Sequence, residues 1–320
     1  MPSPNTTAFQ RPDLGLFFEE IDVEAVKAGM IGLQVMPIFS VSLQTASFSK
    51  IPIEAYVIDR ETARASGSGY NRQTWEFEQD SYFCEEHGAE EVLDDREAAI
   101  YAYTIDFERV NAFRAMIAVM RNRERRIADA TFSAANRTAF GASVTNEWDD
   151  FANADPEGDV KAAITAFELA RGMKPNSLIL NAQVMRNLTQ CDAIIDKLKY
   201  SGIDDPKNVN AATLAALFDV DKVIIGNSFR STADMGQAAA LSRIWSNEYV
   251  GLAKLPTSND LREPCFARTM HWTGDGSSEN GTVEMYREEK VRSDVIRVRQ
   301  DTHEKVLYST LLYLLDNITT

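Results

Sequence analysis

The sequence predicts an α+β protein, on three observations. Between Ser47 and Val92 two stretches alternate apolar and polar residues around a polar tip with two glycines. From Asp95 to Phe140 apolar residues recur close to a helical period. Beyond Asp155, short helices and short apolar strands follow one another.

Residues 1–46 read as an arm. Pro2, Pro4 and Pro12 favour extended backbone, and Leu14, Leu16, Phe17 and Phe18 are its apolar anchors, with a short helix expected at about 21–29. Leaving Leu16, Phe17 and Phe18 in water would cost roughly 1.5–3 kcal/mol per side chain. The arm is therefore expected to dock, on its own subunit or on a neighbour.

Residues 47–92 read as a long hairpin. Ile51, Ile53, Ala55 and Val57 alternate with polar or bulky neighbours, Gly67 and Gly69 mark the tip, and Trp75, Phe77 and Gln79 alternate with Glu76, Glu78 and Asp80. A two-stranded ribbon is marginal alone in water, so it needs a surface to lie on. Periodicity leaves open whether that surface is its own core sheet. The acids between Glu76 and Glu97 lack the spacing of a calcium loop and have only His87 beside them. They read as a solvated face or one turned towards a basic partner.

Residues 95–140 read as one long helix. Its stripe is Ile105, Val110, Phe113, Ile117 and Met120, with Asp94 or Asp95 as cap and Gly141 as stop. Arg121, Arg123, Arg125 and Arg126 form its dense basic patch. Because Glu124 and Asp129 lie among them and the acidic segment is a ready complement, ion pairing within or between subunits is favoured over nucleic-acid contact.

After a polar joint at 145–153 come a helix ending at Gly172, a strand at Ser177–Leu180, a helix capped by Asn181, helices at Asp192–Tyr200 and Ala211–Phe218, and a strand at Val223–Gly226. Strands at Arg243–Lys254 and Cys265–Trp272, an alternating stretch at 282–298, and a β or helical tail at 305–315 complete the chain.

Composition limits function. The 48 acidic and 33 basic residues of the 320 give a formal charge of -15, which repels phosphates and disfavours chain-wide nucleic-acid wrapping. Cys84, Cys191 and Cys265 are odd in number and far apart, which argues for a reducing compartment. The first twenty residues lack a basic segment followed by an apolar core, and no apolar run is long enough to span a bilayer, so synthesis in a cytoplasm and no membrane partner are expected. His87, His271 and His303 are scattered, and zinc-protease, nucleophile-elbow, phosphate-loop and dinucleotide motifs are missing. His271 reads as a structural histidine and Cys191 as a packed thiol. No catalytic residue, metal or cofactor is expected.

The second half carries a resemblance. In order it contains GMKPNSLILNAQVMRNL from Gly172, DAIIDKLKY from Asp192, LAALFDVDKVIIGNS from Leu214, RIWSNEYVGLAK from Arg243, FARTMHW from Phe266 and YREEKVRSDVIRV from Tyr286. This succession, from about Trp148 to Val298, resembles the major capsid proteins of tailed bacteriophages, which have the Hong Kong 97-type fold. The resemblance implies an N-terminal arm (1–46), an extended E-loop hairpin (47–92), a P-domain with a spine helix (93–175), an A-domain (176–287) and closing P-domain strands (288–320).

It further implies self-assembly through pentamers and hexamers into an icosahedral shell in a bacterial host's cytoplasm, and residence in the virion capsid. The implied partners are other copies of the chain, a portal protein, a separate scaffolding protein, a decoration protein, and double-stranded DNA enclosed without sequence reading. Inter-subunit contacts are expected from Arg60, Arg64, Trp75, Phe77, Glu85, Glu86, Arg121, Arg123 and Arg125, with the arginines of the helix meeting the acids of a neighbouring hairpin. The lysine needed for the family's isopeptide cross-link is missing between Ile51 and Ala89, so cross-linking is not expected. An encapsulin-like compartment with the same fold and a soluble enzyme are the alternative readings.

Overall fold

The computed structural model describes residues 9–11, 29–59, 61–72, 76–101, 106–200, 209–234, 236–279 and 281–319. Most of the expected arm, including Leu14, Leu16, Phe17 and Phe18, lies outside them. In chain order the elements are β1 (Phe9–Gln10), α1 (Gly32–Val35), β2 (Ile38–Val41), β3 (Thr45–Lys50), α2 (Glu54–Val57), β4 (Glu78–Phe83) and β5 (Glu85–Asp94). Next come α3 (Asp95–Tyr101), α4 (Phe107–Thr131), α5 (Ala134–Ala139), β6 (Gly141–Ser143), α6 (Pro156–Arg171), β7 (Ser177–Asn181), α7 (Ala182–Leu188), α8 (Asp192–Tyr200) and α9 (Ala211–Leu217). The chain ends with β8 (Lys222–Gly226), β9 (Phe229–Ser231), β10 (Leu241–Arg243), β11 (Val250–Ala253), β12 (Ala267–Trp272), β13 (Thr282–Glu288), β14 (Ser293–Val306), a 3-10 turn at Ser309–Leu311 and β15 (Leu312–Asp316).

Two sheets organise these elements. The first has the order β1-β13-β14-β12-β2, with β5 also on β14. Its axis is the long strand β14, whose residues 293–302 pair with β5 and whose residues 302–306 pair with β12. Helix α4, 25 residues and therefore about 37 Å long at 1.5 Å per residue, packs on this sheet. Its Ala112, Ala115, Met116, Val119 and Met120 meet Val283, Met285, Ile296 and Val298 in one buried cluster.

The second sheet has the order β6-β15-β11-β7-β8. Strands β7 and β11 are buried at every residue, and β15 at all but Asp316. Such strands read as continuous apolar runs because both faces are covered. The helices around them carry Val160, Phe167, Leu188, Ile194, Leu214 and Phe218 into the main core.

Local signals that depend on neighbouring residues are realised as read. Asp155 caps α6 by accepting from the Gly158 N–H at 3.1 Å, Pro156 occupies its first turn, and Gly172 ends it at φ 64°. Asn181 caps α7 by accepting from the Gln183 N–H at 2.8 Å.

Several expectations are corrected. The predicted strand at Ile51–Val57 is absent: Pro52 has no N–H for a ladder, and the chain turns into α2. The hairpin strands lie closer to the body, pairing Thr45 with Phe83 through Lys50 with Glu78. The single helix at 95–140 is at least three, because Asp106 caps α4 and Ser133 caps α5. Its buried stripe is shifted, with Val110 exposed and Ala112, Ala115, Met116 and Val119 inside; Ile105 lies outside the described residues. The joint at 145–153 is not simply polar, since Trp148 is fully buried and donates to Asp159 Oδ2 at 3.0 Å. The strand read at Arg243–Lys254 is two, β10 and β11, separated by a turn in which Ser246 Oγ accepts from the Glu248 N–H.

Strand pairing also cuts across the linear division at 175 and 287. Strands β12 and β13 join β14 in the first sheet, whereas the C-terminal β15 returns to the second.

Candidate assembly surface

The hairpin is anchored firmly at its root. Lys50 Nζ donates to the Leu307 carbonyl at 3.1 Å and lies 3.4 Å from Glu78 and 3.6 Å from Asp80. Lys305 Nζ bonds Asp80 at 2.6 Å, and although burial opposes ionisation there, these two lysines hold the Asp80 carboxyl below its ordinary range. Tyr308 Oη donates to the Ile51 carbonyl at 2.8 Å, and His303 Nδ1 accepts from the Phe83 N–H at 3.0 Å. Tyr82 is buried beneath the ribbon, its ring 6.4 Å from that of Phe48.

Beyond the root the situation reverses. Every described residue from 61 to 72, together with Glu76 and Phe77, is exposed. The hydrogen bonds and ring contact there are local: Ser68 Oγ to the Ala65 carbonyl, Asn71 Nδ2 to the Glu61 carbonyl, and the Arg64 guanidinium 4.8 Å from the Tyr70 ring centre. Tyr70 is 73% exposed and Phe77 62%. A rigid base thus carries an apolar tip with nothing of its own subunit beneath it.

The expected contact residues separate into groups. Arg60 and Trp75 lie outside the described residues. Arg64 and Phe77 are on the tip, and Glu85 and Glu86 are exposed at the start of β5. Other acids of that segment are engaged within the subunit. Asp95 accepts both Arg287 Nη atoms at 2.6 Å, Glu91 lies 3.6 Å from Arg114, and Glu90 Oε1 accepts from Tyr286 Oη at 3.3 Å.

The basic patch of the helix is mostly internal, and this corrects one contact expectation. Arg123 is 3% exposed and donates to Gln300 Oε1 at 2.9 Å and the Glu279 carbonyl at 3.1 Å, so it is not offered to a neighbour. Arg126 forms a fork with Glu304, both contacts at 2.8 Å. Arg121 is exposed and Arg125 half-buried. The complement for these arginines is β14, across the sheet, rather than the acids of the hairpin.

The sequence reading missed Glu124. It is 4% exposed, and its carboxylate accepts from the Ile31 N–H at 2.8 Å, the Gly32 N–H at 2.7 Å and Trp245 Nε1 at 2.6 Å. One side chain therefore ties the segment preceding β2 and the loop after β10 to the middle of α4. A Cβ on Gly32 would lie 2.5 Å from Glu124 Oε2, so only glycine admits this approach. The available signal was spacing: Met116, Met120, Glu124 and Ala128 are four apart, placing a charge on the buried stripe.

Groups weighed for chemistry are packed. Burial pushes the Cys84 and Cys191 thiols up to about 11, away from thiolate reactivity. His271 is buried with Nε2 3.2 Å from Ser277 Oγ, and burial lowers its pKa. Among the described residues no three His, Cys, Asp or Glu side chains gather to hold a metal, and no helix is long and apolar enough to cross a membrane.

No protein-family model matches the sequence. The chain is 24% identical over 276 residues to the major capsid protein of Burkholderia phage BcepMu, covering 81% of this chain and 85% of the relative. Among solved structures it is similar to a phage-related protein from Bordetella bronchiseptica RB50, with a TM-score of 0.72, 18% identity and 98% of each chain covered. It is also similar to the capsid structure of cyanophage P-SCSP1u, with a TM-score of 0.53, 8% identity, and 88% and 86% of the two chains covered. The chain therefore has the Hong Kong 97-type capsid fold and, in sequence, resembles a phage major capsid protein along most of its length.

Proposed function

We propose that the protein is a major capsid protein whose copies join, as pentamers and hexamers, into an icosahedral shell around double-stranded DNA. The observation that carries this reading is the hairpin: its root is locked by lysines and tyrosines, while Tyr70 and Phe77 near its tip stand in solvent. An ordered projection with an apolar end is a contact made for another molecule. Because the tip and whatever receives it are different patches, the contact is heterologous and propagates copy to copy until it closes.

The expected regions are assigned accordingly. Residues 47–92 are the E-loop with its inward strand, α4 is the spine of the P-domain, and the sheet built on β7, β11 and β15 is the centre of the A-domain. Arg64, Phe77, Glu85, Glu86, Arg121 and Arg125 remain proposed contact residues. A net charge of -15 suits a wall that encloses DNA without gripping it. A portal, a scaffolding protein and a decoration protein are the partners such a shell requires or accepts. The capsid-protein resemblance of the relative favours a genome over the cargo enzyme of an encapsulin.

Replacing 61–72 by a short Gly-Ser linker tests the reading by sedimentation velocity. The shortened subunit should keep its thermal unfolding and lose every species larger than a small oligomer. Unchanged assembly would remove the hairpin from the contact.

A further inference from the structure

Arg186, Arg230 and Arg243 form a second basic cluster, and among the described residues none has a carboxylate at ion-pair distance. Arg230 and Arg243 lie on the ribbon of β9 and β10, where Arg230 faces Ser242 and Arg243 faces Phe229. The Arg243 guanidinium sits 4.9 Å from the Phe229 ring centre and donates to Asn227 Oδ1 at 3.1 Å. Burial and the nearby charge of Arg186, on α7, both weaken the hold of Arg243 on its proton, placing the two guanidinium groups side by side. Arg230 Nε and Ser242 Oγ are buried without a hydrogen-bond partner.

The surroundings keep this charge uncompensated. Asp234 is the sole acid in 226–245, and 181–191 contains none. Elsewhere in the fold arginines are matched within the subunit, as Arg126 is by Glu304 and Arg287 by Asp95. Leu241, 72% exposed, adds apolar area to the same ribbon.

We infer that the β9–β10 ribbon, through Arg186, Arg230 and Arg243, is an interaction surface for carboxylates of a second copy of this chain. This rests on the shell reading. Copies carrying -15 each repel one another, and contact between them requires places where that repulsion is reversed. Three unpaired guanidinium groups and an exposed leucine on one ribbon supply such a place, and the acid surplus of the next copy supplies the complement. Arg230 Nε and Ser242 Oγ then gain the partners they lack.

The test compares the wild-type chain, the triple variant R186Q/R230Q/R243Q and the charge-preserving R186K/R230K/R243K in assembly followed by light scattering and electron microscopy across a sodium chloride series. Circular dichroism establishes that each subunit is folded. The glutamine variant should need about tenfold or more protein to assemble, consistent with losing buried charge pairs, and its assembly should respond less to salt. The lysine variant should stay close to wild type. Equal assembly and equal salt response of the glutamine variant would overturn the inference while leaving the shell reading intact. Normal shells that retain less nucleic acid would overturn it in favour of a nucleic-acid contact. A wild-type chain that never assembles would sink both.

Discussion

Replacing Glu124 by alanine probes the joint that connects three distant segments. The carboxylate accepts from Ile31, Gly32 and Trp245 at 2.6–2.8 Å in a site 4% exposed. Three donors left without an acceptor would cost about 1–3 kcal/mol each. Two effects reduce that sum. The variant no longer holds a buried charge, whose desolvation costs several kcal/mol in real proteins, and a water molecule can enter the vacated polar space. The net loss should be about 2–4 kcal/mol. Glu124→Gln keeps one acceptor oxygen but turns an amide towards N–H donors, so it should lose about 1–3 kcal/mol. Urea unfolding of the unassembled subunit measures the loss, and hydrogen exchange at Ile31 and Gly32 locates it. An alanine variant as stable as wild type, with both amides still protected, would refute the assignment of Glu124 as the joint.

Other expectations follow from particular groups. Burial and the neighbouring Asp275 push Asp301 up to about 6, so the folded chain holds a proton there that the unfolded chain releases from about pH 4 upwards. Its contribution therefore weakens folding as pH rises from about 4 to 6, and Asp301→Asn should flatten that slope and melt higher than wild type at pH 7. Tyr70→Asp with Phe77→Asp should leave subunit stability within about 0.5 kcal/mol, as exposed sites usually do, yet stop assembly seen by sedimentation. Cys84 and Cys191 should resist iodoacetamide at pH 8 in the native protein and react once it is unfolded, as peptide mass mapping would reveal. Gly32→Ala should lower the melting temperature, because its new methyl group meets Glu124 Oε2 at 2.5 Å and Ile127 Cδ1 at 2.9 Å.

What was legible in the chain is what neighbouring residues decide. The cap and stop of α6 at Asp155 and Gly172, the cap of α7 at Asn181, and the apolar run of β7 are written within a few positions of where they act. Pairing between distant segments was not legible. The hairpin was read too far out because Ile51, Ile53, Ala55 and Val57 alternate, although Pro52 denies the ladder a donor. The partners of Glu124 are 92, 93 and 121 positions away, and those of Arg123 and Arg126 lie on β14, so no local window could expose them. The order of motifs pointed to the fold, whereas the residues at the candidate contact needed burial to sort them. Arg123 turned inward, and Arg186, Arg230 and Arg243 carried no sequence pattern that set them apart.

The central claim is that this fold exists to build a shell, and electron microscopy of the purified full-length protein, with its absorbance ratio at 260 and 280 nm, tests it most directly. The account predicts closed shells of uniform size or capsomer rings, with added scaffold or crowding where needed, and no strong nucleic-acid absorbance before packaging. A folded 35.7 kDa monomer under all these conditions would contradict it.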